Sequence, residues 1–134
     1  MSRAFTITAT PEAPIAATIH LADAGPRAAA LLVLAHGAGA GQESPFIQGY
    51  AAALAARGLT VVTFNFHYRQ SGRRTPDRPA ILEQTFREAI AGAVAACGSP
   101  PPALFIGGKS MGGRIATHLA AAPRTSAPSL PELA

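Results

Sequence analysis

The stretch that decides the fold is residues 103–113, Ala-Leu-Phe-Ile-Gly-Gly-Lys-Ser-Met-Gly-Gly. Its four leading apolar residues predict a short buried strand, and apolar side chains recur at helical spacing after Met111. A serine between such a strand and helix, with glycines two residues before and after it, is typical of a nucleophile elbow. Gly108 and Gly112 occupy those positions around Ser110. The stretch therefore predicts a tight strand-to-helix turn that exposes the Ser110 hydroxyl.

This turn also predicts a type of chemistry. The N–H of Met111 and the positive end of the following helix would face an oxyanion formed beside Ser110. Lys109 and Gly113 complete the motif. Together these residues indicate acyl transfer with Ser110 as the nucleophile, and that chemistry requires no metal and no cofactor.

Two nucleotide-binding patterns compete with this interpretation. Gly108-Lys109-Ser110 also matches the end of a phosphate-binding loop, but that pattern needs glycine at position 103, where the chain has Ala103. Residues 37–41 contain three glycines spaced by two, which does not fit the dinucleotide fingerprint. The sequence therefore disfavours nucleotide binding.

A second glycine-rich segment, residues 36–41, follows the apolar run 30–35. That run does not alternate with polar residues, which is typical of a strand buried on both faces. Ligands bind at the carboxyl ends of strands in open α/β sheets, so we expect the segment to lie beside Ser110 and the Ala38 N–H to be a second oxyanion donor. The alternative is a flexible glycine turn. The first four members of the segment are His36, Gly37, Ala38 and Gly39.

The remaining pattern predicts one α/β domain. Strands are expected at 5–8, 16–21 and 59–64 in addition to the two above, the first two being antiparallel. Helices are expected from Ser44-Pro45 to Gly58, from Pro79 to Cys97 and from Met111 to about Ala121, with a polar loop over 65–78. Strands that alternate with helices predict a three-layer, mostly parallel sheet over residues 1–122. Residues 123–134, rich in proline and serine, predict a loose tail.

Composition narrows the functional classes. The net charge of +4 comes from 11 basic and 7 acidic residues. Four of the arginines lie in the polar loop, but no nucleic-acid-binding motif accompanies them, so a solvated loop is preferred to a nucleic-acid surface. The single cysteine, Cys97, predicts a reduced compartment such as the cytoplasm. No segment is long and apolar enough to predict a membrane span. The arginines are Arg69, Arg73, Arg74 and Arg78.

No histidine is an obvious general base. His118 lies eight residues after Ser110 on the same predicted helix, about 12 Å along its axis. His20 is in an early strand and is expected to be structural. His67 is in the loop that leaves the same sheet edge as Ser110, so it remains an alternative source of the base.

Three motifs, in their order along the chain, resemble those of proteins with the α/β-hydrolase fold. They are residues 36–41, residues 64–79 with Phe-Asn-Phe-His-Tyr at their start, and residues 107–114. Within that fold the chain is similar to bacterial predicted hydrolases grouped with testis-expressed protein thirty and the third subunit of the human NSL complex, often described as dienelactone-hydrolase-like. The resemblance implies Ser110 as nucleophile, Ala38 and Met111 as oxyanion donors, and a small-molecule acyl substrate.

The chain departs from the family pattern in two places. His67 stands where such sequences have proline, and the acid and base are expected beyond the residues present here. The resemblance thus implies a sheet truncated after the elbow strand and helix, with an exposed edge that favours self-association. Two functions remain open: a serine-dependent hydrolase of ester or related acyl bonds, and a catalytically inactive scaffold or binding module with the same fold.

Overall fold

The computed structural model describes residues 1–8, 14–23, 29–122 and 133. The described strands are β1 (Ser2–Ile7), β2 (Ile15–His20), β3 (Leu31–Ala35), β4 (Thr60–Phe64) and β5 (Leu104–Gly108). The described helices are α1 (Pro45–Ala56), α2 (His67–Gln70), α3 (Pro79–Ala96) and α4 (Met111–Ala121).

Three elements differ from the sequence prediction. Strand β1 begins at Ser2, three residues before the predicted 5–8 run, because its pairing with β2 extends to Ser2 and His20. Part of the predicted polar loop 65–78 forms α2, a helix of four residues that is too short to leave a periodic pattern. Strand β5 continues to Gly108, two residues past the apolar run, because its pairing with β3 extends that far. The glycines of the elbow motif thus begin inside the sheet.

All described strands belong to one mixed sheet with the order β1-β2-β4-β3-β5. Strand β2 is antiparallel to β1 and β4, whereas β3 is parallel to β4 and β5. Four of the five strands therefore point the same way, and β3 is central among the three parallel ones. The carboxyl ends of β3, β4 and β5 lie at one edge of the sheet, where ligands bind in open α/β folds.

Helices cover both faces of the sheet, so the three predicted layers are present. On one face α1 packs against β4, with Ile47 and Ala51 in contact with Leu34 and Val61. On the other face α3 and α4 pack against each other and against β3 and β5. That second face holds the larger core, which includes the aromatic residues Phe64, Phe66, Tyr68 and Phe86.

Fewer residues of α1 face the core than the helical spacing of its apolar residues predicts; the residues at that spacing are Phe46, Ile47, Tyr50, Ala51, Leu54 and Ala55. Ile47, Ala51 and Ala55 are buried, but Phe46 and Tyr50 are each 53% exposed and stack on one another with ring centroids 5.9 Å apart. The expected N-cap is present, since the Ser44 hydroxyl accepts a hydrogen bond from the Ile47 N–H.

Most of the predicted tail, residues 123–134, is outside the described residues. The exception is Leu133, which is partly buried and packs against the larger core. In the predicted arginine-rich loop, Arg73 forms an ion pair with Asp77 at 3.1 Å and Arg69 with Glu43 at 2.8 Å. Among the described helices, none has the length and apolar character needed to cross a membrane.

Candidate active site

Ser110 occupies the turn between β5 and α4, immediately before the first residue of the helix. Its backbone has φ 52° and ψ −113°, and within the described residues it is the one non-glycine residue with positive φ. Residues other than glycine rarely adopt this backbone conformation, and holding one in it costs about 1–3 kcal/mol. The residue is exposed. The turn therefore presents a serine side chain at the carboxyl end of the sheet at a cost in backbone strain.

The glycines around Ser110 are required by close backbone packing. A Cβ at Gly108 would lie 2.5 Å from the Gly112 carbonyl carbon and 2.7 Å from the Gly113 nitrogen. A Cβ at Gly112 would lie 2.6 Å from the His36 carbonyl oxygen, and one at Gly113 would lie 2.7 Å from the Gly108 oxygen. Helix α4 thus approaches the ends of β3 and β5 more closely than any side chain permits.

The glycine-rich segment 36–41 and the serine turn lie side by side. The Lys109 N–H donates to the Ala35 carbonyl at 3.0 Å, which continues the β3–β5 ladder to the end of both strands. A Cβ at Gly37 would lie 3.5 Å from the Lys109 oxygen and 3.9 Å from Cβ of Ser110. Two motifs about 70 residues apart in the chain are therefore brought into contact.

His36 is fully buried and orders the segment that it opens. Its Nδ1 is 2.7 Å from the Gly37 carbonyl oxygen, and its Nε2 accepts a hydrogen bond from the Phe66 N–H at 3.1 Å. These partners require a proton on Nδ1 and a lone pair on Nε2, which is the neutral ring. Burial lowers the pKa of His36, and the hydrogen bond to Gly37 offsets this only in part. His36 therefore acts as a neutral bridge between the glycine-rich segment and the chain after β4.

A polar network holds the other end of the segment. The Thr63 hydroxyl donates to Oε1 of Gln42 at 2.8 Å, and Nε2 of Gln48 donates to the Gln42 carbonyl at 2.6 Å. The Gln42 N–H donates to Oδ1 of Asn65 at 2.9 Å. The turn after β3 is thereby fixed to α1, to β4 and to the residue after β4.

The match to a known family covers the glycine-rich segment and the serine turn. A family model described as alpha/beta hydrolase domain matches residues 28–130, which is well over half of the chain. The chain belongs to the alpha/beta hydrolase family. No curated protein sequence gives a significant match.

Solved structures share the fold of this hydrolase domain at low sequence identity. An α/β serine hydrolase without a lid from Xanthomonas campestris superposes with a TM-score of 0.72 at 23% identity, covering 90% of this chain and 56% of its own. A serine hydrolase homologue from Coxiella burnetii gives 0.72 at 18% identity, covering 88% and 56%. A dienelactone hydrolase from Anabaena variabilis gives 0.71 at 17% identity, covering 87% and 55%. The hydrolase domain described here thus spans a little over half the length of these structures.

The histidines of the hydrolase domain lie away from a base position at Ser110 or are held by other groups. His118 is exposed on α4, two helical turns beyond Ser110. His20 is buried in β2, and burial lowers its pKa. His67 opens α2 and is buried, with its Nε2 3.7 Å from Oε2 of Glu88 on α3. His36 has both ring nitrogens engaged by backbone groups.

Several residues of this site make contacts that the sequence motifs do not reveal. Tyr68 is fully buried and its hydroxyl donates to the Ala38 carbonyl at 3.0 Å. Gln42, Thr63 and Asn65 form the network above. Asn65 belongs to the 64–79 motif, whereas Gln42, which follows the 36–41 segment, and Thr63, which lies in β4, belong to none of the three motifs. Lys109 extends over the Phe46 ring with its Nζ 4.6 Å from the centroid. Across the described ranges, no cluster of three His, Cys, Asp or Glu side chains could hold a metal ion.

Proposed function

We propose that this hydrolase domain carries the nucleophile of a serine hydrolase that cleaves ester or related acyl bonds through an acyl-enzyme at Ser110. The observation that carries the proposal is the strained φ of 52° at Ser110, between glycines that admit no side chain. Strain of this kind persists where the surrounding structure maintains it, and it is concentrated at functional sites. A serine needed only for packing would not require it.

The proposed mechanism uses two backbone donors. The Ser110 hydroxyl oxygen attacks the substrate carbonyl carbon, and the resulting oxyanion accepts hydrogen bonds from the N–H groups of Met111 and Ala38. Met111 is the first residue of α4, so its N–H has no partner within the helix and lies at the positive end of the helix dipole. Ala38 is exposed and directly follows Gly37, where an added Cβ would lie 3.9 Å from Cβ of Ser110. Removing one such donor typically slows acyl transfer by about 100-fold or more.

Rapid turnover needs a base that takes the Ser110 proton and returns it to the leaving group. None of the four histidines is placed to do so by the contacts described above. We propose that the base comes from outside the residues present here, in the same polypeptide or in a second one, or from His67 after it leaves Glu88. Without that base the serine is a weak nucleophile and labelling is expected to be slow.

The second candidate is a non-catalytic scaffold or binding module, and the placement of the histidines favours it. The resemblance to bacterial hydrolases grouped with testis-expressed protein thirty and the NSL-complex subunit is compatible with either function. Both candidates use the same fold, so a chemical test of Ser110 separates them.

The test is covalent labelling of the purified chain with a fluorophosphonate probe. We expect slow labelling at Ser110 that is lost in Ser110→Ala and retained in Ser71→Ala, which removes an exposed hydroxyl at the end of α2. Circular dichroism would show that each variant is folded. Folded protein that takes up no label would contradict the proposed nucleophile and support the binding module.

A further inference from the structure

The buried tyrosine after β4 touches the segment that carries a proposed oxyanion donor. Tyr68 lies in the 64–79 motif, and its hydroxyl donates to the carbonyl of Ala38, 30 residues earlier in the chain, at 3.0 Å. Burial raises the pKa of this phenol, so it remains a proton donor at neutral pH. The contact joins α2 to the glycine-rich segment.

Ala38 needs external support because glycines flank it on both sides. Gly37 and Gly39 rotate about their backbone bonds more freely than other residues, so the direction of the Ala38 N–H is not set by local sterics. Two side chains supply the support. His36 holds the carbonyl of the peptide that contains the Ala38 N–H, and Tyr68 holds the carbonyl of the next peptide. In a trans peptide the N–H points opposite to the carbonyl, so the His36 contact sets the plane that contains the Ala38 N–H. The Tyr68 contact sets the plane of the next peptide, so the backbone is held on both sides of the Ala38 Cα.

Tyr68 is itself held rigidly. Its N–H donates to Oδ2 of Asp77 at 3.0 Å, and its carbonyl accepts from the Arg73 N–H at 2.9 Å. Its ring stacks on Phe66 with a 16° angle between planes and meets the His36 ring edge-on at 6.1 Å. The hydroxyl is therefore a fixed point within the larger core rather than a surface group that follows the loop.

We propose that Tyr68 is a positioning residue that aligns the Ala38 N–H for oxyanion stabilisation, a role that rests on the function proposed for Ser110. Tyr68 touches no reacting atom in this scheme. It acts through the Ala38 carbonyl, and its loss leaves the donor present but held on one side only, by the His36 contact.

The test compares Tyr68→Phe with Tyr50→Phe, which deletes the hydroxyl of the chain's other tyrosine at an exposed position. Hydrogen exchange is measured on peptides covering residues 36–42, and the rate of fluorophosphonate labelling is measured against probe concentration. We expect Tyr68→Phe to accelerate exchange in that segment and to slow labelling at saturation about tenfold, less than the loss of a whole donor. The half-saturating probe concentration should stay the same. Tyr50→Phe should match the unmodified chain in every measurement.

The two measurements keep this proposal separate from the proposed nucleophile. If the unmodified chain is not labelled at Ser110, the proposed function fails, and exchange alone then decides whether Tyr68 orders the segment. Unchanged exchange at residues 36–42 would overturn the role of Tyr68. Faster exchange with unchanged labelling, or a lower unfolding free energy as the sole effect, would also overturn it, because the tyrosine would then be structural only.

Discussion

Gly112 packs so closely on His36 that a Cβ at Gly112 would be 2.6 Å from the His36 carbonyl oxygen. The contact joins the first turn of α4 to the end of β3, and backbone at both ends leaves no flexible side chain to move aside. The two candidate oxyanion donors, on Met111 and Ala38, are each one or two residues from this contact. Its geometry therefore controls how far apart they lie.

We expect Gly112→Ala to lower the free energy of unfolding by at least about 2 kcal/mol, because the new methyl group overlaps backbone atoms. Urea denaturation followed by circular dichroism measures the change. Gly39→Ala is the matched control, since a Cβ there would have no heavy atom within 4 Å. It should change stability by less than about 0.5 kcal/mol. Equal effects of the two substitutions would contradict the close-packing argument.

Ser110→Gly should raise the free energy of unfolding by about 1 kcal/mol relative to Ser110→Ala. Both variants remove the hydroxyl, but glycine adopts the φ of 52° without strain, whereas alanine does not. The difference between them isolates the backbone strain from the loss of the side chain. If alanine proves as stable as glycine at this position, the turn stores no strain.

Stability should fall as the pH drops from 7.5 to 5.5, a window above the usual titration range of carboxyl groups. Burial lowers the pKa of both His20 and His36 below 6.5, so below that pH the unfolded chain binds protons that the folded chain does not. The stabilisation is complete above about pH 6.5 and is lost as the pH falls, by at most about 1.4 kcal/mol per pH unit and group.

Urea titrations at three pH values within this window measure that slope. His36→Gln should flatten it, because the variant has one fewer group that resists protonation. His118→Gln, which alters an exposed residue on α4, should leave the slope unchanged. A steep slope that persists in His36→Gln would mean that His36 does not contribute to the pH dependence.

The edge strand β5 is expected to promote association between copies of the 134-residue chain. In the described part of the chain β5 pairs with β3 alone, and Phe105 on it is 45% exposed. Sedimentation velocity should show a concentration-dependent dimer that Phe105→Lys weakens, because a charge on an edge strand opposes pairing. Tyr50→Lys places the same charge on α1, at a residue of similar exposure, and should leave the dimer intact. A monomer at all concentrations would contradict this expectation.

The sequence predicted the order of the helices and strands because the spacing of apolar residues and the positions of glycine and proline are local properties. The three long helices begin at or within one residue of the predicted proline or motif position, and Ser110 lies in the predicted turn. Alternation did not reveal that β4 lies between β2 and β3, since strand order depends on pairing between distant segments. Helix α2 was missed because one turn leaves no period.

The motif residues of the candidate site were predictable from the sequence, but the hydrogen bonds that hold those residues in place were not. Glycines at fixed offsets indicated Ser110 and the 36–41 segment, because backbone geometry at such turns restricts residue type. Nothing local shows that the Tyr68 hydroxyl reaches Ala38, or that the Gln42 side chain receives the Thr63 hydroxyl proton. Both contacts link segments more than 20 residues apart and exist only once the sheet has formed.

The β3–β5 ladder has a consequence for the order of folding. Strands β1 to β4 and α1 form a continuous unit within the first half of the chain, whereas β5 must close a loop of roughly 70 residues to reach β3. Closing a loop of this length and pairing parallel strands are slow steps. During synthesis the glycine-rich segment therefore emerges and is anchored well before the serine turn exists. The Ser110 turn is thus assembled after that segment, on a platform that is already in place.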